Sequence, residues 1–332
     1  MMEYISIFAP NIDGLIEQKR ALGYKYGSES DILRRFDTFC LERYPNETAL
    51  SRDIMLDWAT KRPGEHPSTL QNRITPVKEL AKYMVRLGYE AFILPKGMMP
   101  RIPRYMPHIY SNDELKRIFA QADRCHYCSE VPYRHLVMPV FFRLLYGCGL
   151  RLTEARLLKV TDVNLIDGVI TVTNAKLGKH RQLPVSPGLL ERLRFYHQRV
   201  HSSPDQEDWF FPGYGGKPMT MGNVEKNLRK FLWLAGISHG GRSKGPRVHD
   251  FRHTMAVHCL RRWVLEEKDL RAYLPVLQAY LGHVSLSDTA YYLHLTADLF
   301  PNITEQVERV FGDIIPEAIH DVQGTGDYDE NH

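Results

Sequence analysis

A chain of 332 residues with 43% hydrophobic and 25% charged side chains is long enough for two buried cores, and no apolar run in it approaches the roughly 20 residues that cross a bilayer. Five scattered cysteines exclude a disulfide framework, and a start with Glu3 and Asp13 and no apolar stretch behind basic residues does not read as a secretory signal, so a cytoplasmic protein without membrane contact is expected. The net charge of +4 divides into +3 over residues 1–104, +7 over 105–312 and −6 over 313–332, so the body carries +10, which suits a polyanion such as DNA as well as it suits an ordinary solvated surface.

The first ninety residues read as a four-helix unit. Ile32, Leu33, Phe36, Phe39 and Cys40 recur at helical spacing behind Ser28 and Ser30, candidate caps. Leu70, Ile74, Val77, Leu80, Ala81, Met84 and Leu87 repeat the pattern before Gly88, and shorter helices are expected at Ile12–Leu22 and Ile54–Thr60. Pro95, Pro100, Pro103 and Pro107 are too closely spaced for a helix or a central strand, so residues 91–108 read as a basic linker.

A second domain is expected over 109–312, opening on a capping box between Ser111 and Glu114. Strand signals cluster in "DVNLIDGVITVTNAKLGKHRQLPVS", where Asp167-Gly168 and a loop containing Gly178 separate three short antiparallel strands. Helices are expected next at Leu189–His201, Asn223–Ala235, Asp250–Trp263, Ala272–Leu281 and from Leu286 onward. The fold class is therefore mainly α with a small antiparallel β-sheet (α+β). Residues 313–332, acidic and polar, read as a disordered tail. Cys125 and Cys128 form a single "CHYC" with no second ligand pair, and are read as packing residues.

Four islands of the second domain carry groups suited to a phosphodiester. In "YGCGLRLTEARLLKV", glycines lead into Arg151 at a helix start, with Glu154 one turn on to hold a guanidinium that can grip two phosphate oxygens. In "NAKLGKHRQ", Lys176 and Lys179 sit at a hairpin tip, where either could reach a groove. In "GPRVHDFRHTMAVH", His249 and Arg252 share one helical face, with Lys244 and Arg247 upstream. In "LGHVSLSDTAYYLHL", Gly282 breaks a helix before His283, Ser285 and Asp288 form a second capping-box pattern, and Leu286, Ala290, Leu293 and Ala297 define an apolar stripe. Tyr291 and Tyr292 flank that stripe on opposite sides, so periodicity leaves them equivalent. Each island alone has an ordinary structural reading as a surface ion pair, a solvated turn, a polar first turn or a packed aromatic pair.

Together and in order, the islands resemble the tyrosine recombinase family, which includes lambda-type integrases and Xer proteins. "GCGLRLTEA" is similar to the first-arginine motif, "AKLGKHRQLPV" to the lysine hairpin, "HDFRHTMA" to the His-x-x-Arg box, and "YLGHVSLSDTAYYLHL" to the Gly-His to Tyr segment. Two departures stand out: Phe251 where leucine is common, and a long interval from Arg252 to His283. The resemblance implies an N-terminal helical, SAM-like core-binding domain at 1–90 and a catalytic domain at 109–312. It further implies Arg151, Lys176, His249, Arg252 and His283 around a scissile phosphate, Tyr292 as nucleophile and Glu154 in support. The resemblance prefers Lys176 to Lys179 because the family's lysine lies at the start of the hairpin turn, two residues before the Gly178 position.

The activity implied is that of an enzyme that breaks and rejoins duplex DNA at recombination sites through a 3′-phosphotyrosyl link and a Holliday junction, without metal, ATP or cofactor. A tetramer on DNA is expected, with accessory proteins as further partners. The segment "ITEQVERVFGDII", with Ile303, Val307, Val310 and Phe311 on one face, is a candidate for docking on a neighbouring subunit. Two other classes compete: a metal phosphohydrolase built on His249-Asp250 with His253 and His258, and a DNA-binding protein that keeps the scaffold without catalysis.

Overall fold

The helical periodicity of the first hundred residues becomes four packed helices, α1 (Ala9–Ala21), α2 (Gly27–Arg43), α3 (Arg52–Ala59) and α4 (Pro67–Arg86). The computed structural model describes residues 4–100, 105–173, 180–201, 208–241 and 245–296. It divides into two units between Met106 and Pro107. In the first, the Ser51 side chain caps α3 by accepting from Ile54 N at 3.4 Å. The serines at the start of α2 do not cap it: the helix opens one residue earlier, after Tyr26 in the left-handed region (φ 45°), and Ser30 donates back to the Tyr26 carbonyl. Ile12, Leu15, Leu33, Phe36, Val77 and Leu80 are completely buried. Phe92 N donates to Leu50 O at 2.8 Å and Leu94 is fully buried, so the chain just after α4 packs into this core.

The second unit begins with α5 (Asn112–Asp123), whose capping box is complete: Glu114 N donates to Ser111 Oγ at 3.1 Å, and Ser111 N to Glu114 Oε2 at 2.8 Å. Then come α6 (Arg134–Gly147) and the single-turn α7 (Leu152–Arg156). The three strands β1 (Val163–Asn164), β2 (Val169–Val172) and β3 (Arg181–Pro184) pair antiparallel in the order β1-β2-β3, with Ile170 opposite Leu183 and Val172 opposite Arg181. Gly168 supplies the positive φ of 67° in the first turn. The turn between β2 and β3, with Lys176 and Lys179, lies outside the described residues, as do Lys244, Ala297, the Ile303–Phe311 segment and the acidic tail.

Helices α8 (Pro187–Val200), α9 (Met221–Leu234), α10 (Asp250–Leu265), α11 (Leu270–Leu281) and α12 (Leu286–Ala290) complete the second unit, and a 3-10 turn runs from Tyr291 to Leu295. Ser285 caps α12 by accepting from Ser287 N at 3.2 Å. The apolar stripe expected there forms only in part among the described residues: Leu293 packs on the core and Ala290 is half-buried, but Leu286 is 44% exposed, whereas Thr289 and Tyr292 are buried. An α-helix of five residues gives way to a 3-10 turn, so 100° steps do not describe which side chains face inward. Among the described residues no helix is long and apolar enough to cross a membrane.

Helix α10 runs through the middle of this unit, and Phe251 anchors it. The ring is completely buried, stacked at 4.9 Å on Tyr110 and packed at 5.6 Å on Phe142, so the space that a leucine would leave is filled by aromatic contacts. Phe251→Ala is expected to cost about 3–5 kcal/mol of stability, and Phe251→Leu about 1–2 kcal/mol, because leucine leaves a smaller void. Urea unfolding of the full chain measures both.

Candidate active site

Two backbone turns from distant parts of the second unit meet at one buried guanidinium. Arg252, in the first turn of α10 and 1% exposed, donates Nη1 to Gly149 O at 2.7 Å and Nη2 to Leu281 O at 2.6 Å. Those carbonyls belong to the segments that carry Arg151 and His283. Two of the five guanidinium N–H groups are used in these bonds. Gly149 (φ 58°) and Gly282 (φ 67°) supply the turns, and a Cβ at Gly282 would also lie 2.9 Å from Arg181 Nη1.

Arg151 is positioned by Glu154, the residue one turn on. Arg151 N donates to Glu154 Oε2 at 2.9 Å, Nη1 to Oε1 at 2.7 Å, and Nη2 reaches across to Gly282 O at 3.1 Å. The same carboxylate takes a bidentate pair from Arg181 of β3, at 3.1 Å and 2.8 Å, while Arg181 Nε donates to Tyr280 O at 3.0 Å. Burial alone would raise the carboxyl's pKa; the hydrogen bonds and charges of Arg181 and Arg151 overcome it and hold Glu154 at about 2. Glu154 thus stays ionised and offsets positive charge from two sides.

Tyr292 and three histidines complete the cluster. Tyr292 is 2% exposed, whereas Tyr291 beside it is half-buried. The Tyr292 ring lies 6.0 Å from the His283 ring at an interplanar angle of 23°, and its hydroxyl is 3.2 Å from His253 Nδ1. His283 Nδ1 is 2.8 Å from Thr289 Oγ1, which fixes the ring. His249 sits edge-on to His253, with centroids 4.7 Å apart. Beside His249 and Arg151 opens a cleft of 560 Å³, also bordered by Arg229, His239 and Arg247. The structure therefore brings Arg151, Glu154, His249, Arg252, His283 and Tyr292 together; Lys176 lies outside the described residues.

The cluster's proton affinities follow from this crowding of cations. Burial and then the charge of Arg252 push His253 and His283 down to about 4. His249 is also lowered, by the protein around it and then by His253, Arg252 and Arg151, although its exposed edge limits the share due to burial. Arg252 is lowered to about 10 by burial and by Arg151, and so remains charged at neutral pH. Burial raises the Tyr292 phenol, with the charges of Arg252 and Arg151 pulling the other way. The resting site thus holds neutral histidines and a protonated phenol beside fixed guanidinium charge, an arrangement able to accept an anion.

Arg181 carried no role in the sequence, and His253 appeared there only as a ligand of the competing metal site. Arg181 shares a strand face with buried Leu183, and a cation at such a position implies a buried partner. His253 stands four residues after His249, on the same helical face. The residues of a His–Asp metal site point to other partners: buried Asp250 accepts from Arg247 N at 2.8 Å, and His258 Nδ1 lies 2.9 Å from Tyr146 Oη. Among the described residues, no three His, Cys, Asp or Glu side chains converge as metal ligands.

The overall fold is that of tyrosine recombinases: the Tn1549 transposon integrase, solved in complex with transposon right end DNA, aligns with a TM-score of 0.64 at 16% identity, over 90% of this chain and 99% of that one. Residues 109–298 match the phage integrase family, and the chain belongs to that family of tyrosine recombinases. It is 31% identical to y4rB of Sinorhizobium fredii, described as an integrase/recombinase, over 93% of this chain and 99% of that protein. It is 32% identical to the tyrosine recombinase XerA of Pyrococcus furiosus over 63% of this chain and 64% of that one.

Replacing Glu154 tests the charge balance. A carboxylate held at about 2 against an ordinary value of 4.5 stabilises the fold fully above about pH 5, and the stabilisation is lost as pH falls toward 2. Glu154→Gln is expected to cost about 3 kcal/mol at pH 7. Thermal unfolding of both proteins should show that the gap narrows steadily between about pH 5 and pH 2.

Proposed function

We propose that the protein recombines duplex DNA at specific sites, with Tyr292 attacking the scissile phosphodiester. The observation that carries this reading is the burial of the Tyr292 hydroxyl beside His253, facing the charge of Arg252 and Arg151. A phenol with a raised pKa is a poor nucleophile, and a phosphodiester anion repels it. Arg151, Arg252, His249 and His283 answer the second difficulty, because their N–H groups offset the charge that grows on the non-bridging oxygens of the transition state. Phosphate binding brings one negative charge into a site crowded with cations, which also raises the proton affinity of the neutral histidines.

Bond formation between Tyr292 Oη and phosphorus expels the 5′ oxygen, which Lys176 protonates. The products are a 3′-phosphotyrosyl link and a free 5′ hydroxyl. Because the link keeps the energy of the phosphodiester, the reverse attack by a partner strand's hydroxyl needs neither ATP nor a metal ion. Two sites cut one strand at a time pass through a Holliday junction, and four cleavages call for a tetramer assembled on DNA, with accessory proteins to set direction. The four-helix first unit contributes DNA contact, and the Ile303–Phe311 segment couples neighbouring subunits. The relatives' names support this reading, as does the transposon DNA held by the Tn1549 integrase.

Nicked duplexes chosen by the full-length protein from a randomised pool serve as suicide substrates in EDTA. Wild type and Tyr291→Phe are expected to form a covalent adduct on a denaturing gel and Tyr292→Phe none, with Arg252→Gln slowed about 100-fold or more. An adduct that survives Tyr292→Phe overturns the assignment; DNA binding without any adduct from the wild type overturns the activity.

A further inference from the structure

Attack by the Tyr292 phenol requires a destination for its proton, and the groups that stabilise the phosphate do not offer one. Arg151 and Arg252 carry donors only. The His283 ring lies nearly parallel to Tyr292, and its Nδ1 is engaged with Thr289 Oγ1 at 2.8 Å. His249 sits edge-on to His253, and the hydroxyl's histidine contact is with His253. Among the described residues, the histidine nitrogen within hydrogen-bond distance of the Tyr292 hydroxyl is His253 Nδ1, at 3.2 Å with the two rings 5.6 Å apart; in the tautomer with its proton on Nε2, that nitrogen accepts from the hydroxyl.

We propose that His253 is a catalytic residue: it accepts the Tyr292 proton during strand cleavage and returns it during rejoining. The inference rests on the reading of Tyr292 as nucleophile. Its geometry is that of a general base already in contact with the group it serves. The half-buried ring packs against His249, edge-on at 4.7 Å, and against the Tyr292 ring at 5.6 Å. The groups that face it are His249 and Arg252 from α10, Tyr292 from the 3-10 turn and His283 from the loop after α11. None of these is a carboxylate, so among the described groups facing the ring there is no anion to stabilise an imidazolium.

The resting histidine is neutral at physiological pH, which leaves a lone pair for the hydroxyl. Its basicity is low until an anion arrives. A bound phosphodiester supplies the missing negative charge, so the base gains strength when substrate is in place. In the cleavage step the Oη–P bond forms and the P–O5′ bond breaks. The phenolic proton passes to His253 Nδ1, and the leaving O5′ takes its proton from Lys176. Rejoining reverses each transfer, and the imidazolium returns its proton to the departing phenolate.

His253→Asn separates proton acceptance from positioning, because the amide oxygen accepts the same hydrogen bond but is not a base at neutral pH. With the full-length protein and nicked suicide duplexes, His253→Asn and His253→Ala are both expected to cleave about 100-fold or more slowly in single turnover, with DNA binding unchanged. The pH–rate profile of His253→Asn should lose the rise that the wild type shows with increasing pH. A duplex with sulfur in place of the bridging 5′ oxygen has a leaving group that needs no proton. It should rescue Lys176→Ala and leave His253→Asn slow. Cleavage by His253→Asn at the wild-type rate, with Tyr292→Phe inactive, overturns the base and leaves the nucleophile standing. Rescue of His253→Asn by the sulfur duplex also overturns it, by moving His253 to the leaving-group side. Should His253→Ala fail to fold, His253→Asn decides the matter alone. An adduct from Tyr292→Phe overturns the nucleophile reading itself.

Discussion

A single buried guanidinium holds the candidate site together. Arg252 binds the carbonyls of Gly149 and Leu281, and those two bonds bring the loop before α7 and the end of α11 to the first turn of α10. Charge-assisted bonds of this kind are strong, and breaking one partner of a buried charged network costs more than the net value of the network itself. The geometry of Arg151, His283 and Tyr292 therefore depends on a residue that also carries one of the site's permanent positive charges. The same group serves as structural clamp and as electrostatic element, so the site cannot be loosened without also being weakened.

Crowding cations has a cost, and Glu154 is the counterweight. It receives Arg151 from its own turn and Arg181 from β3, and so couples the small sheet to the arginine loop. Without that carboxylate, two guanidinium groups would face Arg252 uncompensated. The histidines answer the same field differently, by shedding protons: His253 and His283 are held at about 4. A resting site that is cationic through its arginines but neutral at its histidines is poised for an anion, whose arrival changes the proton affinity of every neighbour.

Much of the architecture is legible in the sequence because it rests on local rules. Spacing of apolar residues locates α2 and α4, the Ser111–Glu114 box marks the start of α5, and Asp167-Gly168 marks the first hairpin turn. Those signals act over a few residues and survive in an isolated segment. The start of α2 differs because its cap is a backbone conformation at Tyr26, which side-chain preferences do not encode. Arg181 is silent in the sequence and His253 is legible there only as a metal ligand, because the partners that give them meaning lie 27 and 39 residues away.

The order and types of the reactive residues, together with the helices that carry them, were determined by the sequence alone, since motif spacing and amphipathic period are properties of neighbouring residues. The structural difference between Tyr291 and Tyr292 was decided only in three dimensions. On an ideal helix the two are equivalent, but α12 stops at Ala290 and a tighter 3-10 turn takes over, which brings Thr289 and Tyr292 onto one inward face. That face meets α10, and Arg252 ties the preceding loop to the same helix, a constraint between segments that no local pattern can carry.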